Sequence, residues 1–341
     1  MLRKAIYLVA IASLVGCGGT SNEGTPKAPK PDAKADATGG AAAKKRIAVI
    51  PKGATHEFWK SVHAGAERAG KELGNVEIKW KAPSRDDNRD DQVNLVQNFV
   101  TMGVDGICLA PIDAESLVNV VKETKKSGIP TVIFDSGLAD PSLAVSYVAT
   151  DNEHGGQLAA EEMAKRLGGK GNVILLRYSP GSQSTAMREK GFLDGIAKFP
   201  DIHVLSSNQY AGTSEQAAMN TSQTLLLQFG KQVNGIFAVN ETSAAGMMQA
   251  LEDARQAGQV GQVTYIGFDS SDRMVQALRD GKIQAIVLQD PVNMGYQAVM
   301  TMAAHLNGKP TDARIPTGEA IATKENMDEE RIHRLLNPEQ F

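Results

Sequence analysis

Two short apolar runs constrain this chain more than any other feature: IPTVIFDSG at residues 129–137 and VTYIGFDSS at residues 263–271, which stop on the same Phe-Asp-Ser triplet. Each is too short for a buried helix and rich in β-branched and aromatic side chains, the mark of a buried strand. In a chain that alternates strands with helices, an acidic residue directly after such a strand stands at the carboxyl edge of a parallel sheet. Folds of this kind place ligand-binding groups there. Two such edges predict two sheets facing one ligand.

The alternation runs through most of the chain. RIAVIPKG reads as a strand and HEFWKSVHAGAERAGKELG as its crossover helix, with Phe58, Val62, Ala66, Ala69 and Leu73 at helical spacing and Gly74 as the stop. VEIKWKAP and VDGICLAP continue as strands, RDDQVNLVQNFVTMG and DAESLVNVVKETKKSG as helices, the last with Asp113 as N-cap. A second series starts near Asp151, where TDNEHGGQLAAEEMAKRLGG predicts a capped helix. NVILLRYSPG, MREKGFLDGIAKF, IHVLSSNQY, SEQAAMNTSQTLLLQFG, VNGIFAVNE, a helix around residues 247–257 and VTYIGFDSS follow. VNGIFAVNE matches VDGICLAPI of the first series, and each precedes a helix and a Phe-Asp-Ser strand end. The pattern predicts an α/β fold of two similar, doubly wound parallel-sheet lobes.

The 341 residues, 42% of them hydrophobic, suffice for two cores of ordinary size. A net charge of −3 offers no basic excess, which argues against nucleic acid as a partner. At the front, Arg3 and Lys4 precede an apolar stretch over residues 5–15 that is too short to span a bilayer, so residues 1–17 read as an export signal. Cys17, directly after a small residue at the cleavage position, resembles the lipobox of bacterial lipoproteins, which implies acylation and a lipid anchor. An ordinary signal with an incidental cysteine is the other reading. Residues 18–45 carry almost no large apolar side chain and no period, and predict a flexible tether. The other cysteine, Cys108, sits in the apolar run GICLAP, so no intrachain disulfide is expected and its thiol reads as core filler.

FWKSVHAG, IPTVIFDS, TDNEHGG, MREKGF, FAVNE, IGFDSS and LQDPVNMGYQA stand in this order, and with them the chain from about residue 46 to 324 resembles the periplasmic sugar-binding proteins of the ribose and galactose type. These share the type 1 periplasmic binding protein fold with the ligand-binding halves of LacI-type repressors. Such repressors carry a helix-turn-helix in front; an export signal and tether occupy that place here, so DNA is not expected. The resemblance implies a first lobe of residues 46–150 plus 290–318, a second of 151–289 plus 319–330, and a tail at 331–341. It further implies three crossing strands as a hinge and a sugar enclosed when the lobes close. The expected role is that of a lipid-anchored, exported, monomeric substrate-binding protein that passes a monosaccharide or polyol to an ABC permease, on the periplasmic or cell-surface side. A sensor feeding a chemoreceptor or a sensor kinase would use the same cleft.

A sugar presents hydroxyls around its rim and C–H patches on its faces, so it needs planar hydrogen-bonding groups at the edge and aromatic plates above and below. Phe58 and Trp59 suit the plates, although neighbouring helix positions point apart and either can pack in the core instead. By the resemblance, Asp135 and Asp269 accept hydroxyl protons, Arg188 donates a planar fork, Asn240 and Gln289 do both, and Phe268 lies beside them. Turn or cap roles for the two aspartates and an exposed helix charge for Arg188 are the alternatives. Three departures stand out: Ser136 where ribose-type members carry an arginine, Lys52 at the small polar position ending the first strand, and His56 in place of an amide. They redraw the hydrogen-bond map of the first-lobe wall, so ribose itself is not the expected ligand. Tyr210 is the candidate for a second-lobe aromatic, against simple packing. No cofactor or metal is expected, since the sequence has no nucleophile elbow, zinc helix, phosphate loop or calcium loop. An enzyme, for instance a glycosidase acting through two carboxylates at fixed separation, is a more distant alternative.

Overall fold

Short β-branched runs separated by helices can bury both of their faces only in a parallel sheet covered front and back. The computed structural model, which describes residues 44–338, contains two such sheets. The export signal, Cys17 and nearly all of the tether lie outside the described residues. The first half runs β1 (Lys45–Ile50), α1 (Glu57–Leu73), β2 (Val76–Trp80), α2 (Arg89–Thr101), β3 (Gly106–Leu109), α3 (Val118–Lys126), β4 (Thr131–Phe134) and β5 (Ser146–Ala149). The second runs α4 (Asn152–Leu167), β6 (Lys170–Leu176), α5 (Gln183–Ile196), β7 (Asp201–Ser206), α6 (Glu215–Phe229), β8 (Gly235–Ala238), α7 (Glu241–Gln256), β9 (Thr264–Phe268), α8 (Asp272–Arg279) and β10 (Ala285–Gln289). Then follow α9 (Pro291–Leu306), β11 (Arg314–Pro316), β12 (Glu319–Thr323) and α10 (Glu330–Leu336).

The sheets are ordered β11-β5-β4-β3-β1-β2 and β12-β10-β9-β8-β6-β7, the same winding twice, position for position. β3 and β8, the strands of VDGICLAPI and VNGIFAVNE, hold equivalent places. All neighbours pair in parallel except β12, which runs antiparallel to β10. The chain passes from one sheet to the other between β5 and α4, between β10 and α9, and between β11 and β12, so three crossings form the hinge. The two-lobed, doubly wound fold read from the sequence is thus the fold found. Threonines and a glutamine tie the crossings together: Thr150 Oγ1 donates to Gln289 Oε1 at 2.8 Å and lies 3.4 Å from Thr317 Oγ1.

Burial on both faces explains the unbroken apolar character of the central strands. On β4, Val132 and Phe134 pack with α1 and α9, while Ile133 joins the core formed with α2 and α3. On β9, Ile266 and Phe268 pack with α4 and α5, and Tyr265 faces α6 and α7. Cys108 on β3 is fully buried beside Ala298, and burial pushes its thiol well above the usual range. Several boundaries differ from the sequence reading for local reasons. α7 starts at Glu241 because Asn240 and Ser243 form a capping box. α3 starts only at Val118, because the Asp113 carboxylate caps the preceding turn at Glu115 N and Ser116 N instead of the helix. The segment read as a tail is largely α10, whose Ile332, Leu335 and Leu336 are buried in the second-lobe core.

Glycine also brings helices of each lobe into unusually close contact. A Cβ on Gly65 of α1 would stand 1.9 Å from Val292 O, and one on Gly295 of α9 would stand 2.0 Å from Val62 O. In the second lobe Gly156 of α4 and Gly191 of α5 approach Arg188 O and Glu153 O at 2.1 and 2.0 Å in the same sense. Backbone carbonyls cannot yield as a side-chain tip can, so the helices would have to separate. Gly295→Ala is therefore expected to lower unfolding free energy by about 1–3 kcal/mol. Gly261→Ala, where a Cβ meets nothing within 4 Å, should change it by less than about 0.5 kcal/mol. Chemical denaturation of both variants checks this, and equal midpoints would refute the tight-packing account.

Candidate functional site

The two Phe-Asp-Ser strand ends share a backbone signature. Asp135 (φ 59°) and Asp269 (φ 69°) are the only non-glycine residues with positive φ among those described. A left-handed conformation costs an ordinary residue roughly 1–2 kcal/mol and is tolerated best by short polar side chains such as Asp. Each is held in place by the neighbouring strand, Asp135 N donating to Val148 O at 3.0 Å and Asp269 N to Val287 O at 2.9 Å. This turn ends the strand at the sheet's carboxyl edge. From there both carboxylates face one small cavity between the lobes.

On the second-lobe side the carboxylate of Asp269, 6% exposed, is surrounded by donors. Gln289 Nε2 donates to Oδ1 at 2.6 Å, Glu241 N donates to Oδ2 at 3.1 Å, and Arg188 Nη1 lies 3.7 Å from Oδ2. Burial pushes this carboxyl upward from its ordinary pKa; Arg188, then Gln289 and the Glu241 N–H, oppose the shift without cancelling it. Arg188, 2% exposed, is itself fixed by Asn152 Oδ1 at 2.8 Å and Val239 O at 2.9 Å, and its guanidinium carbon lies 3.7 Å from the centre of the Phe268 ring. It is a buried fork facing the cavity, not an exposed helix charge.

The first-lobe wall is built differently. Lys52 Nζ stands 2.9 Å from Asp135 Oδ2, an ion pair with both side chains almost fully buried. The ammonium's hydrogen bonds go across the cleft to Ser184 Oγ (3.1 Å) and Ser182 Oγ (3.4 Å), so Asp135 Oδ2 remains a buried acceptor with no aligned donor. His56 Nδ1 is 3.2 Å from Asp86 Oδ2, and burial raises the Asp86 carboxyl above its ordinary value against the pull of His56 and Lys52. Gly53 makes room for that carboxylate, since a Cβ there would overlap Asp86 Oδ1 at 1.7 Å. Phe58 and Trp59 both line the cavity, ring centres 4.8 Å apart and nearly perpendicular, while their inner edges join the first-lobe core.

Of the residues singled out in the sequence, Lys52, His56, Phe58, Trp59, Asp135, Arg188, Asn240, Asp269 and Gln289 line this one cavity. Three others stand elsewhere. Ser136 is wholly buried, and its hydroxyl accepts the N–H of Ser184, a contact between lobes. Phe268 lies beneath Arg188, in the core. Tyr210, 36% exposed, packs against the guanidinium of Arg177 with 4.5 Å to the ring centre and does not reach the cavity, because it follows β7 at the far edge of the sheet. The sequence reading missed Asp86, Tyr178, Ser184, Thr185 and Glu241, which also line it. Tyr178 stands two residues past β6 and Asp86 in the loop after β2, so a search of the segments that follow the strands, not only of acids directly at their ends, would have reached both. A larger hollow adjoins the cavity at Phe58, Asp269 and Gln289, but it includes neither Asp135 nor Arg188.

The Arg188–Asp269 pair yields a prediction that needs no ligand. Removing one member of a buried ion pair leaves the other charged and unpaired, at a cost of about 3–5 kcal/mol. Arg188→Met should lower the unfolding free energy by that amount in denaturant titration, and an unchanged midpoint would show the pair to be without structural weight.

Known proteins share this fold. Residues 47–310 match the family described as periplasmic binding protein domain. The D-apiose import binding protein of Paraburkholderia graminis is 31% identical over 263 residues, 77% of this chain and 81% of that protein. The xylitol-binding protein of Mycolicibacterium smegmatis is 29% identical over 267 residues, 78% of this chain and 74% of that protein. The solved structure of a carbohydrate transporter solute binding protein from Agrobacterium radiobacter, in complex with D-arabinose, has a TM-score of 0.81 at 31% identity and covers 87% of this chain and 100% of its own. With the family match spanning most of its length and the two-sheet architecture in common, the chain belongs to the periplasmic binding protein family, with the type 1 fold.

Proposed function

We propose that this chain is the substrate-binding component of an ABC importer and encloses a neutral monosaccharide or polyol between its lobes. One observation carries the reading: carboxylates from two equivalent strand ends, Asp135 and Asp269, face the same small cavity, bordered by the aromatic pair Phe58 and Trp59. The cavity edge offers acceptors in Asp135 and Asp86, donors in Lys52 and Arg188, and groups of both kinds in Asn240 and Gln289. A ring of hydroxyls, each donor and acceptor at once, matches such a mixed set. Asp86, Asp135, Glu241 and Asp269 against Lys52 and Arg188 leave no surplus of positive charge for a sugar acid or sugar phosphate. D-apiose, xylitol and D-arabinose, the compounds for which the relatives above are named or with which one was solved, are neutral polyhydroxylated compounds of this class.

Function then consists of holding. Closure surrounds the ligand with polar groups, and each one left unpaired by a wrong ligand costs about 1–3 kcal/mol. Cys17 as the lipid attachment point and residues 18–45 as the tether complete this reading on the exported side of the membrane. Titration calorimetry against a panel of five- and six-carbon aldoses, ketoses and polyols tests it: at least one should bind, and Asp135→Asn and Asp269→Asn should each weaken that binding by about tenfold to a hundredfold. Silence across the whole panel would overturn the proposal.

A further inference from the structure

Glu241, the first residue of α7, is a buried acid, 8% exposed, which enters the scheme above only through its charge and is given no hydrogen bond to the ligand. Its carboxyl group reaches across the cleft to the other lobe. Oε1 receives the N–H of Glu57 at 3.2 Å and Oε2 that of Phe58 at 3.1 Å, the first two residues of α1. Such N–H groups have no partner inside their own helix, and a helix start favours negative charge. α1 does not cap itself: His56, at its N-cap position, makes no side-chain cap hydrogen bond. The cap comes from the opposite lobe. On its own side, the backbone N–H of Glu241 donates to Asp269 Oδ2 at 3.1 Å, and the next residue, Thr242, places its Oγ1 3.1 Å from His56 Nε2.

We propose that Glu241 is the clasp of the closed cleft, a positioning residue that ties the ligand-holding Asp269 to the helix bearing Phe58 and Trp59. Its purpose rests on the binding-protein reading; its geometry does not. Opening the lobes must return this carboxyl group to water and leave the start of α1 uncapped.

The clasp is also a proton site. The charged and titratable groups around it are His56 and Glu57 at the start of α1, Asp86 paired with His56, Asp269 with Arg188 behind it, and Lys52 on the same cavity wall. Burial pushes the Glu241 carboxyl up to about 7; His56 and the Phe58 N–H pull it down, and Asp269 adds to the rise. In the open form, in water, the group returns to the ordinary carboxylate range. A pKa raised on closing means that closing takes up a proton. The contribution favouring closure is complete below the ordinary carboxylate value and is lost as pH rises through about 7.

Two measurements on the full chain test this. Amide hydrogen exchange of wild type and Glu241→Ala, without ligand and with whichever sugar binds, should show the Glu57 and Phe58 amides exchanging at least about tenfold faster in the variant. Equal exchange in both proteins overturns the clasp, and the ligand-free arm decides the matter even where the sugar panel has failed. Calorimetry between pH 5 and 8 should show wild-type affinity falling with pH, by up to about tenfold per unit below pH 7, and a flatter profile in Glu241→Gln, which mimics the protonated acid. The same slope in both proteins overturns the proton-linked clasp, whereas a merely structural Glu241 would change affinity without changing slope.

Discussion

The carboxylate buried at the end of β9 sets the terms for the rest of the site. A charge removed from water costs several kcal/mol unless fixed groups replace the lost hydration. Asp269 obtains that replacement from three directions: Arg188 of α5, the Glu241 N–H at the start of α7, and Gln289 at the end of β10. Each of these is anchored in turn. Arg188 is held by Asn152 and Val239, and Gln289 accepts the hydroxyl of Thr150 at another hinge crossing. The second-lobe half of the cavity is therefore a rigid frame connected to the hinge. The first-lobe half is looser, since Asp135 has an ion-pair partner in Lys52 but an oxygen with no aligned donor. Lys52, His56 and Ser136, where the sequence led us to expect a departure from the ribose-type pattern, all belong to that first-lobe half or to its contact with the second. A fixed frame opposite a less constrained wall is an arrangement in which a substitution in that wall can alter the ligand contacts without disturbing the hinge.

Much of the fold was legible because the features that specify it are local. Residues 57–73 show helical spacing and stop at a glycine in the left-handed conformation, and the predicted helix ends where the real one does. Likewise the two Phe-Asp-Ser triplets marked equivalent sheet edges, because an acid just past a buried strand has few other places to go. Arg188 lay at the limit of such reasoning. Helical pattern alone left it on the surface; only its position within MREKGF, matched to related proteins, brought it inside. Glu241 and Ser184 were beyond reach, since their roles depend on residues 184 and 132 positions away in the chain, meeting only when the lobes close. Tyr210 shows the opposite error, an aromatic in a plausible stretch of sequence that the sheet order assigns to an outer edge. α10 was passed over because a short amphipathic helix after a run of charged residues resembles an ordinary terminal segment until the core it completes is known.

The duplication extends beyond topology. Both lobes use glycine to bring two helices into backbone contact, α1 with α9 and α4 with α5, and both end a central strand on an aspartate with positive φ. Yet the carboxylates have diverged, one paired with a lysine of its own wall and the other locked into a donor network. Equivalent backbone positions thus support unequal chemistry, which is how a near-symmetric scaffold can hold an asymmetric guest.

Neither lobe is contiguous in the chain. The first needs α9 and β11 to cover and extend its sheet, and the second needs β12 and the buried face of α10. During synthesis, then, the first core cannot close until the ribosome has passed residue 316, nor the second until it reaches 336. Long-range closure of this kind is slow compared with local helix formation. A nascent chain whose two cores both wait for their last-made elements is in the open state that the proposed export across a membrane requires.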